Sequence, residues 1–169
     1  FFKQKTAYEI KECDWSSDVC SSDLEELKMA YMSQERKAQI APKIKAICAK
    51  YGVKASLAVR HHSTLVLNIK QGPIDFVENY IKTVSENSCG RKINEDQIAY
   101  IREKKNLDVN TYWYKDHFTG KAKKFLEEIL AEMGRGNHDN SDIQTDYFDV
   151  GWYVSLKIGK WNKPYELLK

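Results

Sequence analysis

The chain has 169 residues, of which 27 are basic and 24 acidic, giving a formal net charge of +3. This length favours a single domain that buries a core without disulfide support. The charge is too modest to indicate nucleic-acid binding by itself. No apolar run approaches the roughly 20 residues needed to span a bilayer, and no charged-then-apolar leader is present. We therefore expect a soluble protein of the cytosol.

The first 24 residues resemble the conceptual translation of a short-read sequencing adapter. Residues 3–10 read KQKTAYEI and residues 14–24 read DWSSDVCSSDL. We interpret residues 1–24 as a non-native segment and residues 25–169 as a single α+β domain. Setting the segment aside removes three lysines and five acidic residues, which raises the net charge from +3 to +5. Only Cys48 and Cys89 then remain, too few for a disulfide framework, which favours a reducing compartment.

A helix is the first predicted element of the domain. Ser33 suits the N-cap, and Gly52 lies where a left-handed residue closes a helix that reaches Tyr51. Apolar residues at helical spacing predict one buried face. They are Ile40, Ile44, Ile47, Cys48 and Tyr51. Pro42 lies inside this pattern, so it either kinks the helix or restarts it.

A β-hairpin and a second helix follow. Apolar residues alternate along two strands that residues 61–63 connect. The alternating residues are Leu57 and Val59, then Leu65, Leu67 and Ile69. Residues 71–73, read QGP, stop the second strand. The helix is predicted from about residue 75 to residue 87, and Cys89 and Gly90 end it.

The second half of the chain contains two further helices and two further strands. Asn94 and Gln97 resemble a capping box that opens a short helix. The β-branched and aromatic run at residues 109–114, read VNTYWY, predicts a strand. A helix from Thr119 to Met133 carries the longest apolar stripe in the chain. Residues 152–158 alternate as a strand, and residues 161–169 are predicted to lie over the surface.

The order of these elements predicts the architecture. Helices and strands interleave as αββα(α)βαβ, where the bracketed helix is the short one. This order favours an α+β fold with a small, mainly antiparallel four-stranded sheet and helices packed on one face. The last strand, helix and strand are predicted to form the one parallel, right-handed crossover.

Two stretches carry a family resemblance. Residues 50–76, read KYGVKASLAVRHHSTLVLNIKQGPIDF, resemble the large polyvalent protein-associated domains of bacteriophages and mobile elements. Residues 146–165, read DYFDVGWYVSLKIGKWNKPY, resemble the end of related uncharacterised phage proteins. The resemblance covers about residues 33–165. It implies a phage-encoded accessory protein in the host cytosol, with counter-defence as one role, and it implies no catalytic residue and no cofactor.

Residues 138–149 form an acidic loop with the residue types of a metal site. Its candidate ligands are His138, Asp139, Asp142, Asp146 and Asp149. Residues 136–139, read GNHD, match a short signature of metal-dependent phosphoesterases, but the partner motifs of that chemistry are absent upstream. The aspartates alone suit a hard cation such as Mg²⁺ or Ca²⁺. Alternatively, they accept hydrogen bonds within the turns of the loop.

Basic and aromatic side chains mix between residues 102 and 124. Nucleic-acid binders use cations for phosphates and rings for base stacking. The candidate contacts to nucleic acid or a protein partner are Lys105, Tyr112, Tyr114, Lys115, Lys121 and Lys124. The alternative is that the aromatic residues belong to the core.

We therefore interpret the chain as a small, non-enzymatic accessory protein that binds a host protein or nucleic acid. No catalytic residue and no cofactor are assigned. The alternative is a metal-dependent phosphoesterase or nuclease that uses the acidic loop at residues 138–149.

The adapter interpretation makes a direct prediction. Deletion of residues 1–24 should leave the thermal midpoint within experimental error, because a translated adapter has no evolved contact with the domain. Differential scanning calorimetry of both chains tests this. A fall of more than a few degrees would show that the segment contributes to the folded state.

Overall fold

The computed structural model describes residues 29–86, 93–142 and 144–168. The interpretation of residues 1–24 and the predicted helix end at Cys89 and Gly90 lie outside these ranges. Among the described helices, none combines the length and the apolar composition that a membrane span requires.

The described residues form five helices. They are α1 (Gln34–Lys50), α2 (Phe76–Glu86), α3 (Glu95–Lys104), α4 (Tyr114–His117) and α5 (Gly120–Met133). The predicted cap of α1 is confirmed, since the Ser33 hydroxyl accepts the Arg36 amide at 3.1 Å. The capping box of Asn94 and Gln97 on α3 is also confirmed. Helix α1 continues through Pro42 without restarting.

Five strands form one mixed sheet. They are β1 (Lys54–Arg60), β2 (Thr64–Gly72), β3 (Leu107–Val109), β4 (Tyr153–Ile158) and β5 (Glu166–Leu167). The strand order is β1-β2-β4-β3, and β5 pairs with the end of β2. The β1–β2 and β3–β4 pairs are antiparallel, whereas β4 and β5 run parallel to β2. The α+β class is confirmed, with one strand more than predicted.

The predicted parallel crossover between the last two strands is wrong. Strand β3 is antiparallel to β4, and the parallel partner of β4 is β2. After α5, residues 134–152 carry the chain back to the end of the sheet where β2 begins, so that Tyr153 pairs with Thr64. Alternation in the sequence identifies strand residues, but it does not specify strand direction.

The predicted strand at residues 109–114 is also wrong. Of the six residues in that prediction, only Val109 lies in β3. The strand ends there because the Asn110 side chain accepts the amides of Tyr112 at 2.9 Å and Trp113 at 3.2 Å. This Asx turn ends the strand and leads into α4. An asparagine side chain thus overrides the strand propensity of the aromatic residues around it.

The sequence predicted that the tail, residues 161–169, lies over the surface, but part of this tail is buried. Tyr165 is only 3% exposed. Its hydroxyl donates to the carbonyl oxygens of Gly72 at 3.0 Å and Ile74 at 2.8 Å. Burial, with a smaller contribution from Asp75, raises the pKa of this phenol well above its ordinary value. The tail is therefore anchored in the core and adds β5 to the sheet.

The core lies between one face of the sheet and the helices α1 and α5. The apolar stripe of α5 is confirmed as buried, and Phe125 is fully inaccessible to solvent. The ring centroid of Phe125 lies 5.3 Å from that of Tyr51 and 5.6 Å from that of Phe76. These edge and tilted contacts join three helices at one point, because the three rings belong to α5, the C-cap of α1 and α2.

Phe125→Ala should lower the free energy of unfolding by about 3–5 kcal/mol, because it removes a buried ring and leaves a cavity. Urea denaturation followed by circular dichroism measures this loss. The control is Tyr112→Ala, since Tyr112 is 84% exposed and its truncation should cost no more than about 0.5 kcal/mol. A loss below about 1 kcal/mol for Phe125→Ala would contradict the central position of this ring.

Candidate functional site

The sheet has a second face, opposite α1 and α5, that we call the open face. Side chains alternate along each strand. Those of Leu65, Leu67 and Ile69 enter the core, so their neighbours on β2 point to the opposite side. The open face consists of Ser56, Ala58, Arg60, Thr64, Val66, Asn68, Asp108, Tyr153, Ser155 and Lys157. A cleft of about 810 Å³ lies over it.

The strand register arranges this face in rows. The middle row contains Ala58, Val66 and Ser155, which are all small. One flanking row contains Arg60, Thr64 and Tyr153. The other flanking row contains Ser56, Asn68, Lys157 and Asp108. Because the middle row has short side chains, it forms the floor of the cleft. The flanking rows carry longer side chains, among them Arg60, Tyr153 and Lys157.

Two elements form the walls of the cleft. Tyr100 of α3 lines one wall, and the tight turn at residues 160–163 lines the other. In this turn the Lys160 amide donates to the Lys163 carbonyl at 2.7 Å, which places Trp161 at the tip with 76% of its surface exposed. Gly159 permits the turn, because a Cβ there would lie 2.5 Å from the Lys105 carbonyl oxygen.

The charge of the cleft is positive. Arg60, Lys157 and Lys160 line it, and Asp108 is the one acidic residue of the lining. Lys157 and Asp108 form an ion pair at 2.9 Å, so they offset each other. Neither Arg60 nor Lys160 forms an ion pair with another residue that the structure describes. Two cations thus remain available to a ligand.

Asn68 lies in the floor of the cleft and is only 5% exposed. Its side-chain oxygen has no hydrogen-bond partner among the described residues. A buried acceptor without a partner is unusual, since most such atoms find one in the protein or in ordered water. The oxygen is itself buried, so it is an unsatisfied polar atom beneath the floor and not an accessible contact.

The binding residues predicted from the sequence do not gather at this cleft. Tyr114 is buried, as in the alternative in which the aromatic residues belong to the core. Lys115 pairs with Glu127 of α5 at 3.6 Å. Tyr112 lies in the turn that follows β3, and Lys121 and Lys124 belong to α5. All three are exposed and none of them lines the cleft. Lys105 caps α3 beside Asn106, which lines the cleft.

Sequence reasoning missed Arg60, Tyr153 and Trp161. The signal was present in the strands, because every second residue of the predicted β-strands had to face away from the core. The missing information was that the described elements leave the centre of this second face open. Trp161 could not be placed at all, since its position depends on the turn that Gly159 permits.

The carboxylates of the acidic loop mostly hold its own turns. Asp139 accepts the Ser141 amide at 3.2 Å, and hydrogen bonds from Ser141 keep the pKa of Asp139 below its ordinary value. Asp142 accepts the Gln144 amide at 2.9 Å and the Thr145 hydroxyl at 3.0 Å. These are Asx-type hydrogen bonds, in which aspartates accept donors within the turns of their own loop and do not ligate a metal.

The remaining candidate ligands do not complete a metal site. His138 and Asp149 are 3.0 Å apart, from Nε2 to Oδ1, so these two are brought together. Asp146 is exposed and has a positive φ of 53°, as in a tight turn. Across residues 29–86, 93–142 and 144–168, no three His, Cys, Asp or Glu side chains are placed to share a metal ion.

Addition of Mg²⁺, Mn²⁺ or Ca²⁺ should leave the thermal midpoint unchanged, because the loop carboxylates already accept hydrogen bonds. Calorimetry of the wild type and of Asp142→Asn with Asp146→Asn measures this. A metal site would instead give about 2.7 kcal/mol of stabilisation at a hundredfold excess over the dissociation constant. A saturable, aspartate-dependent rise in the midpoint would contradict our expectation and favour the phosphoesterase hypothesis.

Comparison of the chain with family models, with curated proteins and with solved structures gives no match. The resemblance to large polyvalent protein-associated domains therefore stays a prediction from two sequence stretches. The function has to be inferred from the side chains of the open face, which is the most distinctive surface described.

Proposed function

We propose that this protein binds single-stranded nucleic acid across the open face of its sheet. The observation that carries the proposal is the grouping of exposed rings and cations on one face. Tyr100, Trp161, Arg60 and Lys160 line the cleft, and Tyr153 lies in the same row of the sheet as Arg60. Neither cation forms an ion pair with another described residue. The accessory role in a phage-infected cell, including counter-defence, belongs to the same proposal and rests on the sequence resemblance alone.

The rings support stacking. Large aromatic side chains are normally buried, whereas Tyr100, Tyr153 and Trp161 leave about half or more of their surfaces exposed. Every base has a flat π-face, so exposed rings bind single strands with little regard to sequence. The bases of a duplex already stack on one another and are not free to do so. This difference favours a single strand over a duplex.

The cations support contact with phosphates. Arg60 ends β1 on one side of the small central row, and Lys160 lies in the wall turn. A strand that crosses the floor between them would place its phosphates near both side chains. The rings and the cations thus each have a counterpart in a nucleotide.

The enzyme alternative has less support. A phosphoesterase or nuclease needs several convergent metal ligands. Among the described residues of the acidic loop, His138 and Asp149 are brought together, and no three possible ligands are placed to share a metal ion. A protein partner on the open face stays possible chemically, because rings and arginines are common at protein interfaces. The salt dependence of binding separates these alternatives, since it reports phosphate contacts directly.

Fluorescence anisotropy with labelled 15-nucleotide single strands of DNA and RNA, and with the matching duplex, tests the proposal. We expect single strands to bind more tightly than the duplex, with affinity that falls as salt increases. Tyr153→Ala and Trp161→Ala should each cost about 1–3 kcal/mol of binding free energy. Arg60→Ala should reduce the slope of log affinity against log salt by about 0.7.

Matched controls come from the surface that the sequence suggested. Tyr112→Ala removes an exposed ring in the turn after β3, and Lys121→Ala removes an exposed cation on α5; neither residue lines the cleft. These variants should bind like the wild type. If they lose affinity while the cleft variants do not, the interface includes these residues and not the cleft. Absence of measurable binding to either strand type at low salt would refute the proposal.

A further inference from the structure

Strand β1 lies at the end of the strand order, so its outer edge pairs with no other strand in the part of the chain that the structure describes. At the opposite end of the sheet, β3 is only three residues long. Strand β1 has seven residues and therefore presents the longer row of free backbone donors and acceptors. Such an edge can accept an added strand from another chain.

An apolar groove of about 680 Å³ runs beside this edge, between α1 and β1. We call it the edge groove. It is lined on the helix side by Ala41, Ile44 and Cys48, and on the sheet side by Ala55, Leu57 and Leu67. The exposure of these side chains shows which strand the helices cover incompletely. Leu67 on β2 is only 1% exposed, whereas Ala55 and Leu57 on β1 are half-buried.

The rim of the edge groove carries one sign of charge. Its charged residues are Lys45 on α1, Lys54 at the start of β1 and Lys70 on β2. The register between β1 and β2 shifts beside Lys54, and Lys70 is left without an opposite residue there. None of the three lysines forms an ion pair with a described residue.

We propose that the edge groove and the free edge of β1 together bind an extended, acidic segment of a partner protein as an added strand. Backbone pairing with β1 would supply most of the affinity, and alternate apolar side chains would fill the groove. Acidic residues at the ends of the segment would meet the rim lysines. This surface is separate from the open-face cleft and does not rest on nucleic-acid binding.

Charge also decides between a partner and a second copy of the chain. An antiparallel pairing of two β1 strands would bring Lys54 of one copy towards Arg60 of the other. Like charges placed opposite each other across a strand pair are destabilising. An acidic segment meets no such repulsion. The charge pattern therefore favours a different, acidic partner.

Charged residues on an edge strand can also serve to prevent aggregation. In β1 the charges lie only at the two ends, at Lys54 and Arg60, and residues 55–59 between them are uncharged. Charged side chains and prolines are among the devices that protect an edge strand, and residues 55–59 carry neither. The uncharged middle of β1 is therefore better suited to pairing than to preventing it.

The test uses the full chain and three labelled nine-residue peptides. The first has two glutamates at each end and alternating valine and threonine between them. The second has lysines in place of the glutamates, and the third repeats the first with N-methyl groups on the backbone nitrogens of all five central residues. We expect the first peptide to bind at least about tenfold more tightly than the second, and the third not to bind. Fluorescence anisotropy measures all three.

Hydrogen exchange identifies the mode of binding. The first peptide should slow amide exchange in residues 54–60, since an added strand pairs with the outer edge of β1. The variant Lys45→Glu with Lys54→Glu should reverse the preference between the first two peptides. The matched control is Lys121→Glu with Lys124→Glu, which reverses two exposed lysines on α5 and should leave both affinities unchanged.

Three results would overturn this inference. The first is equal binding of the acidic and basic peptides, or no binding of either. The second is binding of the acidic peptide without slower exchange in residues 54–60. The third is self-association by sedimentation, with slow exchange of these residues in the absence of peptide, which would make a second copy the occupant.

Discussion

The structure depends on the way Trp152 is held at the base of β4. Its backbone amide donates to the Asn137 side chain at 2.9 Å, and its carbonyl accepts from the same side chain at 2.8 Å. Its indole nitrogen donates to the Met133 carbonyl at 3.1 Å. The Arg36 guanidinium lies 4.9 Å from the ring centroid, so α1 is joined to the same residue. These contacts tie the end of α5 to the start of β4 and thereby position the central strand.

Both proposed surfaces have one physical origin. Helices α1 and α5 cover the centre of one sheet face completely, as the full burial of Leu67 and Leu156 shows. They do not reach beyond β1, so an apolar groove remains beside its edge. On the opposite face, α3 and the turn at residues 160–163 cover only the margins. The described elements are too few to enclose the sheet, and the parts of it that they leave uncovered differ in chemistry.

The sequence predicted local structure well and tertiary relations poorly. Caps such as Ser33 and Asn94 depend on residues within one turn, so their prediction was reliable. The direction of β4 depends on a long connection and could not be inferred from alternation. The open-face cleft was missed for the same reason. Arg60 and Tyr153 lie far apart in the sequence and share a row only because β1, β2 and β4 are adjacent. The acidic loop was ambiguous for a different reason, because aspartate and histidine side chains serve both as metal ligands and as hydrogen-bonding groups within turns.

The parallel pairing of β2 with β4 has a consequence for the order in which the chain folds. Residues 64–69 pair with residues 153–158. This pairing cannot form until the helices that separate the two strands in the sequence have been synthesised. Contacts so distant in sequence carry a large loop-closure cost and slow the folding of a domain. During synthesis, β2 can pair with β1 at once, but its other edge has no partner until nearly the whole chain has been made. Until then an apolar strand edge is available for incorrect pairing, which makes the nascent chain more vulnerable than the finished protein.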